Sequence, residues 1–223
     1  MRAFLGSLLF GAAGVGIVCW VGLTFFMPGR QHAQGVGCAT CAQARKVHGW
    51  CDACAVGYVA GLPIKSRLLY DTMDAHGHQL QVDRMPCEGC RRLAKTGGFC
   101  DANHIGWRNG EAYFSRLTYE LSGAYYMAPS QIACRTCRDN ADGAGWCDAC
   151  GYGMIGRFAI ASRADFDAGR RGFERLQKAI ELSARCDYCA MAMVTDTDCF
   201  RCKTVFKDGE LVASGAASTS AGN

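Results

Sequence analysis

The pattern Cys-x2-Cys-x9-Cys-x2-Cys is written four times along this chain, and no other feature constrains its fold as much. Copy one is Cys38, Cys41, Cys51 and Cys54; copy three is Cys134, Cys137, Cys147 and Cys150; copy four is Cys186, Cys189, Cys199 and Cys202. Copy two is Cys87, Cys90 and Cys100, with Asn103 at the fourth position and His104 beside it. First and third cysteines stand thirteen residues apart throughout, and the first cysteines of successive copies fall 49, 47 and 52 residues apart. A period of this size marks an array of like units, each near the lower limit at which a hydrophobic core suffices.

The likeness extends beyond cysteine. Copies one to three carry a glycine six residues after the third cysteine (Gly57, Gly106, Gly153). Fifteen residues after it comes Ser-Arg (Ser66-Arg67, Ser115-Arg116, Ser162-Arg163), and nineteen after it an aromatic (Tyr70, Tyr119, Phe166). In copies one, three and four two thiolates from one Cys-x2-Cys pair and two from the next can close a tetrahedron around one thiophilic ion, with the nine residues between them read as a short hairpin. Residues 58–64 then read as strand, turn and return strand. Asn109-Gly110 and Asp208-Gly209 give the same hairpin signal in copies two and four. Ser66, Ser115 and Ser162 stand where helix N-caps belong. In the third of these helices Phe166, Phe173, Leu176 and Ile180 form one apolar face, with Asp167/Arg171, Glu174/Lys178 and Glu181/Arg185 spaced for i, i+4 pairing. Copy four is followed by Ala/Ser/Gly/Thr to Asn223, a tail expected to be disordered.

Paired knuckles followed by a hairpin resemble the zinc ribbons, above all short double-ribbon arrays. The resemblance covers roughly residues 36–212 as four tandem units and implies structural zinc. Copy two departs from it at Asn103.

Residues 3–28 form a nearly uninterrupted apolar run behind Arg2. At about 1.5 Å per residue such a run spans the ~30 Å hydrocarbon layer. A signal peptide has a shorter apolar stretch and a small-residue cleavage site, so the run is read as an uncleaved anchor rather than a cleaved leader. The flanking charges (Arg2 before; Arg30, Arg45 and Lys46 after) decide no orientation. The expected architecture is therefore one of small metal-stabilised α+β repeats: four tandem zinc-ribbon-like β-hairpin modules joined by short helices, plus one N-terminal transmembrane helix. The expected divisions are 1–29 anchor, 30–85, 86–132 and 133–184 modules with helices, 185–212 module four, and 213–223 tail.

Zinc, three to four per chain, is the first choice of ion. Iron in a four-thiolate site is the metal alternative, because spacing does not separate the two. Disulfides are the other. Fifteen of the sixteen cysteines lie outside the apolar run, so pairing would leave one over, although an oxidising compartment would favour it. Haem attachment is disfavoured, since no Cys-x2-Cys is followed by histidine. At site two His104 is the expected fourth ligand, against a degenerate site or a deliberately labile one. His76 and His78 read as a helix end with Gly77 as C-cap rather than a metal pocket.

The net charge of +4 is mild and argues for no nucleic acid. Arg67, Arg116 and Arg163 read as first-turn arginines on solvated helix faces rather than base-stacking residues. No phosphate loop, Ser/His/Asp order or zinc site with a spare carboxylate is present, so no enzyme is expected. A thiol–disulfide role for Cys-Asp-Ala-Cys lacks the strand–helix alternation such a site needs. The expected role is a membrane-anchored scaffold for a protein partner, with metal handling or electron carriage as alternatives. The bilayer is met through residues 3–28. An export-like anchor tilts the ribbons toward the extracytoplasmic face, with the cytoplasmic side nearly as favoured.

Overall fold

A computed structural model of the chain describes residues 37–214. By its contacts the chain divides after Cys38, and the fold below is that of the unit from Ala39 onward.

Copy one runs α1 (Ala39–Lys46), β1 (Trp50–Cys51), β2 (Val56–Val59), β3 (Leu62–Ile64) and α2 (Arg67–Met73). Copy two repeats it as α3 (Glu88–Thr96), β4 (Gly98–Cys100), β5 (Ile105–Arg108), β6 (Glu111–Tyr113) and α4 (Arg116–Ser122). After β7 (Tyr125–Tyr126), copy three gives α5 (Arg135–Asn140), β8 (Ala144–Cys147), β9 (Tyr152–Ile155), β10 (Phe158–Ile160) and α6 (Arg163–Ser183). Copy four is α7 (Asp187–Thr195), β11 (Asp198–Cys199), β12 (Thr204–Lys207) and β13 (Glu210–Ser214). Each copy is thus a short helix and a three-stranded antiparallel sheet, with β7 added to the edge of the third.

The nine residues between the Cys-x2-Cys pairs are a helix and a strand rather than the hairpin expected from the sequence. The first cysteine of copies two to four N-caps this helix, the second sits in its first turn, and the third ends the strand. Nine residues suffice because the helix and the strand lie side by side, closed by one glycine-containing turn in copies one to three (Gly49, Gly97, Gly143).

The hairpins after the knuckles are as the sequence indicates. Both turn residues have positive φ in all four: Ala60-Gly61, Asn109-Gly110, Gly156-Arg157 and Asp208-Gly209. Two left-handed residues match the twist of the flanking strands, which is why Asn-Gly and Asp-Gly serve here. The three serines cap as expected, Ser66, Ser115 and Ser162 accepting from the backbone N–H of Leu69, Thr118 and Asp165.

The copies share a core instead of folding one by one. Val59, Ile64 and Leu69 of copy one, Leu117 and Leu121 of copy two, and Ile155, Phe166, Phe173 and Leu176 of copy three form one buried cluster that takes in Ala190 of copy four. α6 is its axis. Gly172 admits Leu117 of α4, where an added Cβ would stand 2.8 Å from that side chain, and Ala179 is fully buried. Its charges pair differently from the expected scheme. Asp167 takes Arg163 and Arg170, Glu174 takes Arg170, and Lys178 reaches across to Glu210.

Three further expectations change. The helix before His76 ends at Asp74, whose left-handed φ of 40° supplies the C-cap assigned to Gly77. The chain after Val212 is not wholly a tail, for β13 pairs Ala213 with Val205 and Ser214 with Thr204; residues 215–223 lie outside the described residues. Among the described residues no helix is long and apolar enough to cross a membrane. The longest, α6, has 21 residues but carries charged residues along its outer face. This corrects the architecture with a transmembrane helix and the single-pass localisation drawn from it. The run 3–28 on which both rested lies outside the described residues.

Candidate metal centres

The helix–strand–turn unit brings the cysteines of each copy together. Cys38, Cys41, Cys51 and Cys54 form one group, Cys134, Cys137, Cys147 and Cys150 another, and Cys186, Cys189, Cys199 and Cys202 a third; Cys87, Cys90 and Cys100 form a group of three. Within each group all ligand atoms lie within 4.8 Å of one another. Each can hold one metal ion.

The separations test the fit. Sulfur–sulfur distances are 3.9 Å for Cys87–Cys100, 3.8 Å for Cys134–Cys147, 3.9 Å for Cys186–Cys199 and 3.7 Å for Cys186–Cys202. A disulfide needs about 2.05 Å. Four thiolates at about 2.3 Å from a central zinc stand about 3.8 Å apart along each tetrahedral edge. The observed spacing is that of ligands around an ion.

The backbone is shaped for thiolates as well. Cys90 N–H donates to Cys87 Sγ at 3.4 Å, and Cys202 N–H to Cys199 Sγ at 3.3 Å. The second and third cysteines of every copy are buried, whereas Cys150 and Cys202 are exposed. In copy three the backbone N–H of Cys137 and the thiol of Cys150 draw Cys134 down to about 6, while bonding to Cys137 and its neighbours pushes Cys150 up to about 12. In copy four burial and its neighbouring thiols push Cys189 up to about 12. Burial raises Cys199 too, but the Cys202 N–H, the Cys189 thiol and the Arg201 N–H together outweigh it and leave the thiol at about 7. Cys134 and Cys199 are thus drawn down while Cys150 and Cys189 are pushed up, because several thiolates cannot share one small volume without a cation. A divalent ion removes that obstacle, and its uptake releases protons.

Site two differs. His104 is not brought into the group of Cys87, Cys90 and Cys100; it is exposed and lines a groove of about 520 Å³ with Phe99, Phe114 and Arg171. Asn103 takes the fourth place, its Nδ2 donating to Cys90 Sγ at 3.3 Å and lying 3.8 Å from Cys100 Sγ. The His76/His78 pair forms no metal-ligating group among the described residues. His78 is held by Asp74 at 2.8 Å and by backbone pairing with Ala112.

One set of residues escapes the sequence reading: Trp50, Phe99 and Trp146, each immediately before a third cysteine. The first-turn arginines lie over them, with Arg67, Arg116 and Arg163 at 4.8, 4.7 and 5.1 Å from the ring centres. Tyr70, Tyr119 and Phe166 pack against the same rings. These stacks lock the helix after each hairpin to the strand that ends at the metal centre. The position is visible in an alignment of the copies, where copy four has Asp198 instead.

Compared with family models, curated proteins and solved structures, the chain matches none. The likeness to zinc ribbons rests on the knuckles and hairpins alone.

Proposed function

We propose that this protein is a non-enzymatic scaffold whose fold is set by structural zinc, three or four ions per chain, and whose assembled surface receives a protein partner. The observation that carries this reading is the joint placement of the centres and the core. The buried cysteines Cys51 and Cys147 end β1 and β8, and the sheets continuing from them build, with α6, the core that Leu117 and Leu121 of copy two and Ala190 of copy four also enter. Ions so placed hold elements together, and ligand sets closed by four thiolates leave no position for substrate.

The partner surface favoured is β13. It is an edge strand, exposed along its whole length, with Leu211 and Val212 more than half exposed. An apolar edge strand is a template for pairing with another chain.

The experiment is metal analysis of the purified full chain, followed by chelation under circular dichroism. Three or four zinc per chain, with loss of the folded spectrum as zinc leaves, is expected. A coloured protein carrying iron would replace zinc with an electron-carrier reading. A chain that binds no metal, or that keeps its fold when stripped, overturns the proposal.

A further inference from the structure

We infer that site two is a three-thiolate centre in which His104 is no ligand, Asn103 is a hydrogen-bond donor to the sulfurs, and the fourth coordination position is left for an exchangeable ligand from solution. This rests on the zinc reading above and concerns one of its four sites.

The four copies share one backbone turn after the knuckle. The residue directly after the fourth ligand position is left-handed in every copy: Ala55 at φ 48°, His104 at 53°, Gly151 at 69° and Lys203 at 55°. This residue turns the chain out of the knuckle and into the next strand. His104 therefore has the structural role of Ala55, Gly151 and Lys203, none of which is a ligand. Shifting the ligand by one residue would require a different turn, and Asn103 N–H still bonds Cys100 O at 3.3 Å as Cys150 N–H bonds Cys147 O.

Asn103 acts on the sulfurs and not on an ion. It occupies the place of Cys54, Cys150 and Cys202 and directs its amide N–H toward Cys90 and Cys100. An amide nitrogen aimed at thiolates donates to them and is no metal ligand in that orientation. Donation to a ligating sulfur tunes the ion without filling its shell, as outer-shell partners do. The two residues it reaches, Cys90 and Cys100, are buried, while residues 101–104 are exposed. A fourth ligand to an ion held by these three cysteines would therefore reach it from the exposed side, past Asn103. Three protein ligands leave the fourth to water or another small ligand and hold the ion by one bond fewer, whereas sites one, three and four offer four cysteines.

The test uses the zinc-loaded full chain, a chromophoric chelator of moderate strength, and Co2+ substitution read by its d–d absorption. One of the four equivalents should leave rapidly, the other three slowly. Asn103→Cys should convert the fast equivalent into a slow one and make the cobalt spectrum uniform. His104→Ala should leave both readouts as in the parent chain, and Asn103→Ala should weaken the fast site by about tenfold. If His104→Ala abolishes the fast equivalent, the histidine is the ligand and the inference is wrong. It is also wrong if all four equivalents leave at one rate, or if the parent binds three zinc and only Asn103→Cys binds a fourth. Absence of zinc from every site would instead sink the scaffold reading, so the two failures are distinct.

Discussion

Gly106 and Tyr119 share one volume: a Cβ on residue 106 would stand 2.5 Å from Tyr119 Cβ and against its ring. Gly57 bears the same relation to Tyr70, and Gly153 to Phe166. In copies one to three the strand after the cysteine group must be bare at this point so that the aromatic of the following helix can lie against it. Copy four has Val205 at the equivalent position and no helix after its hairpin among the described residues. Strand and helix have changed together.

Gly106→Ala is therefore expected to destabilise the folded chain by about 1–3 kcal/mol through overpacking. Shortening the aromatic should recover part of that loss. In denaturant melts at fixed zinc, Gly106→Ala with Tyr119→Leu should show a coupling of about 0.5 kcal/mol or more. Strictly additive costs would mean that the contact does not govern the glycine.

How much of this was legible in the sequence depends on the range of the interaction. Asn109-Gly110 and Asp208-Gly209 announce their turns because positive φ is a local demand. Ser66, Ser115 and Ser162 announce helices because a cap is satisfied within three residues. The cysteine groups were legible for the same reason, their spacing being fixed by one small unit. α1, α3, α5 and α7 were not, since helices of six to nine residues are held by packing and knuckle rather than by their own pattern. The place of His104 outside the group of Cys87, Cys90 and Cys100 was not legible, because its left-handed φ of 53° is a turn geometry that a histidine beside a gap does not announce. The shared core was invisible, for nothing local says that Leu117 of copy two will meet Gly172 of copy three.

Asp196 ties copy four to α6. Its carboxylate takes Arg175 Nη1 at 2.8 Å and accepts from Gly209 N–H at 3.0 Å. Both partners are partly buried, and a charge-assisted bond to a backbone N–H is stronger than an exposed ion pair. Asp196→Ala should cost about 1–2 kcal/mol and should loosen the β12–β13 hairpin before the rest. Hydrogen exchange is the measurement. Faster exchange confined to residues 204–214 is expected; a uniform change or none would show that the hairpin is held elsewhere.

His48 makes the fold sensitive to acid. Burial first, and His76 second, hold its imidazole down at about 4, well below the ordinary 6.5. Its Nδ1 accepts from Ala60 N–H at 3.2 Å, and its ring stacks on Phe158 with centres 4.4 Å apart. Between the two values the unfolded chain binds a proton that the folded chain refuses. Stability from this group is thus complete above about pH 6.5 and is lost as pH falls toward about 4. The melting temperature should drop from pH 7 to pH 5.5 by more in the parent chain than in His48→Gln, with zinc content verified at each pH. Equal drops would assign the acid sensitivity to the metal centres alone.

The four centres should not matter equally to the fold. Cys147 ends β8, which pairs with β9, and β9 delivers Ile155 to the shared core under α6. Cys100 ends β4 in copy two, whose sheet encloses a separate cluster of Cys90, Cys100, Trp107 and Ala112. Loss of the ion at site three releases a strand on which α6 packs, whereas loss at site two opens a satellite. Cys147→Ser should therefore lower hydrogen-exchange protection along α6 and β9 by about tenfold or more, on the order of 1.4 kcal/mol of opening free energy. Cys100→Ser should abolish protection of β4–β6 and leave α6 within about threefold of the parent. The reverse order would place the keystone of the array in copy two, and a common loss at both sites would mean that the four copies open as one cooperative unit.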